Sequence, residues 1–142
     1  MSDATAERSE RFAALRDMYA ALNRNDVPAF LAIYDAQVES KEPSGFPGDG
    51  TLHGIEALRE LVTRMRGLWV EGTCEPGRMF AAGDKVVVFA HVHVRLKDEP
   101  EFREGDIADG YTFRDGKVVY RQVFVNRQDA LAWAGIDVAT AN

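Results

Sequence analysis

The chain has 142 residues, a formal net charge of −6 and a single cysteine. Because its Lys and Arg residues are scattered rather than clustered, the sequence argues against binding to nucleic acid. One cysteine excludes an internal disulfide, the polar first residues lack the apolar segment of a secretory signal, and no apolar run could cross a bilayer. We expect one cytoplasmic domain over residues 1–142, with a folded core at about 7–134 and no membrane contact.

Apolar residues at helical spacing predict three helices in the first half of the chain. The first, roughly Glu7 to Asn23, carries a single apolar stripe. That stripe consists of Phe12, Leu15, Tyr19 and Leu22. The second follows Asp26, whose carboxylate can cap the open N–H groups of the next turn, and it runs to Tyr34. The third begins after Gly54 and stops near Gly67.

A short strand is predicted from Val38 to Glu42, followed by a turn-rich loop at 44–50 that we expect to be mobile. The second half of the chain is typical of an antiparallel meander, bent at Pro76 and with an Asp-Gly hairpin turn at Gly116. Its elements are predicted at Trp69–Ala82, Lys85–Leu96, a strand ending near Phe113, Lys117–Val125, and a short helix at Asp129–Trp133. This order favours an α+β domain whose helices pack on one face of a curved sheet around a mostly apolar cavity.

Strand alternation separates an inner face of the sheet from an outer face. The inner positions of the strand Lys85–Leu96 are all aliphatic, as expected of the side that meets the helices. Apolar residues also occupy the outer face, at Val87, Phe89, Tyr120 and Phe124. Because a contiguous apolar patch usually marks an interface, we expect a two-fold homodimer through this face. Polar contacts around the patch would come from His91, His93, Arg95 and Gln122.

Four stretches, in this order and spacing, carry a family resemblance: Tyr19–Asp26, Tyr34–Pro43, Leu52–Leu58 and Tyr111–Val119. Together they resemble the SnoaL-like and ketosteroid isomerase-like families of the nuclear transport factor 2-like fold. The resemblance implies a cone-shaped domain, with three N-terminal helices packed in a strongly curved antiparallel sheet. It does not imply one activity, because these families include isomerases, cyclases, hydrolases and proteins without known chemistry.

Carried over residue by residue, the isomerase pattern implies a catalytic base at Glu42, where the family has an aspartate before a proline. It also implies two donors to an enolate oxygen, Tyr19 on the first helix and Asp109 on the penultimate strand. The sequence departs from the pattern at Arg121, which alternation places on the inner face. Arg121 either pairs with Asp109 and keeps it ionised, or itself holds an anionic substrate or an enolate.

The pocket is predicted to be lined by Tyr34, Ser40, Val88, Ala90, Val92, Tyr111 and Val123. We expect a small apolar or weakly anionic ligand, no cofactor and no metal. The favoured function is a cofactor-independent isomerase, cyclase or dehydratase that acts by proton transfer on a small apolar carbonyl compound. The alternative is a ligand-binding or accessory domain with the same pocket. The Asp-Arg-Asp arrangement of the epoxide-hydrolase branch falls on apolar positions, which argues against that chemistry.

Each candidate catalytic residue also has a purely structural interpretation. Tyr19 lies on an apolar helix stripe and therefore suits the core. Glu42 suits a solvated residue at the end of a strand. Asp109 and Arg121 can form a cross-strand ion pair without any chemistry.

Two other groups of reactive residues carry weaker signals. His91 and His93 lie two residues apart on one strand face, a spacing that can bind zinc, but no third ligand is evident. Cys74 has no activating neighbour in the sequence, so we expect its thiol to be inert.

Overall fold

Four helices and one six-stranded sheet make up the part of the chain that the computed structural model describes, residues 2–43 and 50–137. The helices are α1 (Ser2–Asn23), α2 (Val27–Leu31), α3 (Ile55–Arg66) and α4 (Arg127–Ala134). The strands are β1 (Tyr34–Glu42), β2 (Gly50–His53), β3 (Trp69–Ala82), β4 (Lys85–Leu96), β5 (Phe102–Arg114) and β6 (Lys117–Phe124). The predicted α+β class, with N-terminal helices packed in a curled sheet, is confirmed. No helix within the described ranges is long and apolar enough to span a membrane.

The strands follow the order β2-β1-β6-β5-β4-β3 across the sheet. Strands β3 to β6 form the predicted antiparallel meander, and the register of β3 against β4 shifts between Pro76 and Met79. One pairing departs from the antiparallel pattern, because β1 runs parallel to β6 and places Ser40 opposite Arg121. This parallel pairing brings the C-terminal ends of β1 and β6 to the same edge of the fold.

The region around β1 differs from its prediction. The second helix ends at Leu31, so Tyr34 begins a strand instead of closing a helix. From Val38 onward β1 buries every second residue, which is the alternation of a strand with one face on the core. Strand β2 was not predicted, because four mostly exposed residues carry too little alternation to indicate a strand. The predicted mobile loop lies, apart from Gly50, outside the described residues.

The inner face of the sheet packs against the first three helices, as predicted. Val86, Val88 and Ala90 of β4 are buried in one cluster with Leu15 of α1 and Leu58 of α3. Burial of such side chains contributes about 1.5–3 kcal/mol each relative to exposure, so this cluster is the main source of stability.

Helix α4 covers the outer face of the sheet. Its buried residues Ala130, Leu131 and Ala134 form one cluster with Val87 of β4 and Ala108 of β5. Partly buried residues packed against this cluster are Phe80, Phe89, Phe124, Trp133 and Ile136. The ring centroid of Trp133 lies 6.0 Å from that of Tyr120 and 5.8 Å from that of Phe124. The expectation of an exposed apolar patch is therefore wrong, because a helix of the same chain packs on it. The homodimer stays a prediction, without this argument for it.

The packing of α4 on the sheet depends on Gly110 of β5. A Cβ atom at Gly110 would lie 2.6 Å from Cζ3 of Trp133, closer than real Cβ contacts allow. Gly110→Ala should therefore displace α4 and lower the free energy of unfolding by about 1–3 kcal/mol, measured by chemical denaturation. Gly105→Ala, in the same strand, is the matched control because its Cβ would meet nothing within 4 Å. Equal stability of the two variants would contradict this packing.

Candidate functional site

A set of polar side chains is buried on the inner face of the sheet. Ser40 and Glu42 of β1 and Asp109 of β5 are 1%, 3% and 4% exposed, and the side chain of Arg121 on β6 is 13% exposed. Buried ionisable groups are rare unless they are paired, so their partners decide what the site can do. The structure brings together all four candidate catalytic residues, including Tyr19, within this interior.

Arg121 and Glu42 form a buried ion pair. Nη1 of Arg121 donates to Oε2 of Glu42 at 2.5 Å and to Oγ of Ser40 at 2.9 Å. Burial alone would lower the pKa of Arg121, but the Glu42 carboxylate, aided by Tyr34, Tyr111 and Asp109, raises it above its ordinary value. The guanidinium is therefore permanently charged.

This pair corrects two expectations about the site. The partner of Arg121 is Glu42 rather than Asp109, because the parallel register of β1 and β6 places Ser40 opposite Arg121 and directs Glu42 to the same side. Glu42 is not a solvated residue at a strand end, since it is almost fully buried. Oε2 of Glu42 is occupied by the guanidinium and lies near the Ser40 hydroxyl, so Glu42 is poorly placed to take a proton in the role that the resemblance implies.

Asp109 has a different set of partners, contributed by two tyrosines. The Tyr19 hydroxyl donates to Oδ2 of Asp109 at 2.5 Å, and the Tyr111 hydroxyl lies 3.4 Å from the same oxygen. The two hydroxyls lie 2.9 Å apart. Burial raises the pKa of Asp109, although the charge of Arg121 and the hydrogen bond from Tyr19 oppose that shift. Burial also raises the pKa of both tyrosines, which therefore stay protonated as donors.

The end of helix α1 is fixed in a way that positions Tyr19. The Asn23 side chain accepts from the backbone N–H of Cys74 at 2.8 Å and donates to its carbonyl at 3.0 Å. Arg66 of α3 donates to the carbonyls of Leu22 and Asn23 at 2.7 and 2.9 Å, which satisfies open carbonyls at the helix end. Burial raises the pKa of the Cys74 thiol to about 12, so it stays protonated at neutral pH.

Two atoms of the buried set have no hydrogen-bond partner among the described residues, Oδ1 of Asp109 and Nε of Arg121. The two side chains are close neighbours on the inner face, because Arg121 lies opposite Tyr111 and Asp109 opposite Val123. A buried polar atom without a partner costs about 1–3 kcal/mol. One acceptor and one donor in the same interior region are therefore buried without a hydrogen-bond partner among the described residues.

A cleft of about 510 Å³ lies at the C-terminal ends of β1 and β6, next to this site. Its lining consists of Lys41, Glu42, Pro43, Gly50, Gln122, Val123, Phe124, Val125 and Asp129. Of the described buried polar residues only Glu42 lines the cleft, and Val123, which also lines it, lies opposite Asp109. Its volume is that of a small-molecule site.

The remaining residues of the predicted pocket fall into two groups. Val88 and Ala90 are buried and Val92 is partly buried in the main core, whereas Val123 borders the cleft.

The Tyr34 hydroxyl donates to Sδ of Met18 at 2.9 Å, and burial raises the pKa of Tyr34. Tyr111 and Ser40, predicted only as pocket lining, contact the charged residues directly. The signal for Tyr111 was present, because alternation puts it on the same face as Asp109.

The outer-face histidines are not directed at a common point. Nδ1 of His91 lies 2.9 Å from Asp106 and Nε2 lies 2.9 Å from Glu104, and these hydrogen bonds raise the pKa of His91. The His93 ring stacks on Phe102, with centroids 4.3 Å apart. Among the described residues, no group of three His, Cys, Asp or Glu side chains is arranged to hold a metal ion.

The buried ion pair can be tested by unfolding. Glu42→Leu leaves Arg121 charged and without its partner, and it should lower the free energy of unfolding by about 3–5 kcal/mol. The double variant with Arg121→Met should recover most of that loss, because it removes both charges. Glu99→Leu is the control, since Glu99 pairs with Arg103 at 2.7 Å on the surface and should change stability little. A similarly small loss for Glu42→Leu would contradict the buried pair.

Comparison with solved structures finds proteins that share this fold over most of the chain. A Burkholderia xenovorans NTF2-like protein aligns at a TM-score of 0.69 and 29% identity, over 89% of this chain and 95% of that one. A Mesorhizobium loti protein, assigned without established activity to the SnoaL-like polyketide cyclases, aligns at 0.65 and 21%, over 79% and 96%. An M. tuberculosis LEH-like epoxide hydrolase aligns at 0.68 and 17%, over 89% and 90%.

Sequence comparison gives the family. No curated protein matches the chain. The model of the SnoaL-like domain matches residues 15–121, a range that contains the interior residues Tyr19, Glu42, Asp109 and Arg121. The chain belongs to the SnoaL-like domain family.

Proposed function

We propose that this chain is a cofactor-independent enzyme that moves a proton on a small carbonyl compound, with Asp109 as the proton carrier. The supporting observation is the buried Asp109 carboxyl, which has hydroxyl donors on Oδ2 and none on Oδ1. Burial brings the pKa of this carboxyl closer to neutral, where a group can both accept and return a proton. The Tyr19 hydroxyl holds the other carboxyl oxygen, Oδ2, in a fixed orientation.

Asp109 therefore replaces Glu42 as the candidate base. Oε2 of Glu42 is occupied by the Arg121 guanidinium, so it is not available to take a proton from a substrate. In this proposal the ion pair has another role, because Nε of Arg121 is free to donate to a substrate oxygen where negative charge develops. The cleft borders Glu42 and Val123, the neighbours of these two groups, and is the proposed route of a carbonyl compound to them.

Isomerase, cyclase and dehydratase chemistry share this first step. In each of them a base removes a proton next to a carbonyl, and a donor stabilises the enolate oxygen. They differ in what the enolate does next, which depends on the substrate. The proposal therefore covers only the shared step, which is removal of a proton next to the carbonyl of a small and mostly apolar compound.

Activation of water for epoxide opening is a second candidate, favoured by one observation. Glu42, Arg121 and Asp109 form a carboxylate–guanidinium–carboxylate group on the inner face, built from three strands rather than from the apolar positions considered in the sequence. An epoxide hydrolase shares the fold, although at 17% identity the likeness concerns the fold alone. Purely non-catalytic binding remains the outcome expected if neither reaction occurs.

Deuterium exchange tests the proposed step without knowledge of the natural substrate. In D2O the protein should accelerate exchange of the α-protons of 1-indanone, followed by NMR. Asp109→Asn should reduce the enzymatic rate by at least about 100-fold, because an amide cannot act as the base. Asp84→Asn, a substitution of the same type in the turn before β4, should leave the rate unchanged.

Three outcomes separate the candidate functions. Exchange that survives Asp109→Asn would contradict the role of Asp109. No exchange, together with hydrolysis of indene oxide to its diol, would support the water-activating enzyme instead. Absence of both reactions, with binding of 1-indanone retained, would support a ligand-binding domain.

A further inference from the structure

We infer that the ligand of this site is a neutral compound with a carbonyl oxygen and a hydroxyl group a few bonds apart, the carbonyl accepting from Nε of Arg121 and the hydroxyl donating to Oδ1 of Asp109. This inference rests on the proposed function for the location of the site and adds the class of compound. It accounts for both open atoms of the interior set with one molecule.

The hydrogen-bonding types of the two open atoms are opposite. Nε of a guanidinium can only donate, so it requires an acceptor such as a carbonyl oxygen. The proposed base is ionised before it takes a proton, and in that form Oδ1 of Asp109 can only accept, so it requires a donor. A plain ketone satisfies the first atom and leaves the second unpaired in the interior, whereas a hydroxy ketone satisfies both. A carboxylate oxygen has two acceptor positions, so the hydroxyl contact leaves one for the moving proton.

The charges of the interior favour a neutral ligand. Arg121 is already balanced by Glu42 at 2.5 Å, and Asp109 adds a second carboxylate beside them. An anionic ligand would meet two carboxylates for one guanidinium in a place with little water, which is unfavourable. This argues against the weakly anionic ligand expected from the sequence.

The geometry of the site sets the limits on size and on the distance between the two groups. Asp109 and Arg121 are diagonal neighbours on β5 and β6, whose Cβ atoms are typically about 7–8 Å apart or less. Side chains of their length can converge on groups separated by two or three carbons. The adjacent cleft of about 510 Å³, which Glu42 and Val123 help to line, has the volume for one or two fused rings.

A matched set of indanones tests this inference by binding rather than by turnover. NMR titration would compare 3-hydroxy-1-indanone with 1-indanone, with 3-methoxy-1-indanone and with the anionic 3-oxoindane-1-carboxylate. The hydroxy ketone should bind at least about fivefold more tightly than each of the others, because only it satisfies both open atoms. Equal affinity for 1-indanone, or tighter binding of the carboxylate, would overturn the inference.

One variant reverses the hydrogen-bonding requirement at the position of Oδ1 of Asp109. In Asp109→Asn the oxygen can still accept from Tyr19, so the NH2 group takes the position of Oδ1 and offers a donor in place of an acceptor. The preference for hydroxy over methoxy should then be lost, because the methoxy oxygen can accept. Asp84→Asn, at an exposed turn residue outside the cleft, should keep the wild-type preference. A preference unchanged in Asp109→Asn would show that Asp109 does not recognise the hydroxyl.

The two proposals fail in different ways. The binding preference without α-proton exchange would refute the proposed function and leave the ligand class standing. Exchange on 1-indanone without the preference would refute the ligand class and leave the proposed function standing.

Discussion

Burial of the Arg121 guanidinium inside the curved sheet is the constraint on which the site depends. A charge in the interior requires a partner of opposite charge, and Glu42 provides it only because β1 runs parallel to β6 in a register that places Ser40 opposite Arg121. Glu42 lies at the C-terminal end of β1 and lines the cleft, and Arg121 lies within β6. The pairing therefore connects the topology of the sheet with the place where a ligand can enter.

The same constraint separates the buried polar residues into two groups with different hydrogen-bond partners. Arg121 and Glu42 neutralise each other, which leaves Asp109 to be controlled by neutral donors, the hydroxyls of Tyr19 and Tyr111. Tyr19 reaches the sheet because Arg66 and Asn23 fix the end of α1. Burial raises the pKa of Asp109, which has only hydroxyl donors, whereas the Glu42 carboxylate is occupied by a guanidinium. We therefore propose that Asp109 carries the proton.

Local patterns predicted the secondary structure well where periodicity was long and failed where pairing was distant. Twelve-residue alternation in β4 was enough to predict its bounds and its inner face. The resemblance located Tyr19, Glu42 and Asp109, and alternation located Arg121. Nothing in local spacing shows that β1 lies beside β6, so the sequence offered Asp109 or an anionic ligand as the partner of Arg121 and did not indicate Glu42. The outer face was misjudged for a similar reason, because its apolar residues gave no sign that α4 would fold back on Val87.

The central claim is that Asp109 is a proton carrier with a raised pKa while Arg121 is paired with Glu42. Its most direct test is a pH titration of the side-chain carboxyl carbons by 13C NMR, with Asp109→Asn used to assign the signal of Asp109. The account predicts that Asp109 titrates above the ordinary range of an aspartic acid, because burial outweighs the charge of Arg121. Titration of Asp109 at or below the ordinary value would contradict it, because the carboxyl would then be held ionised by Arg121.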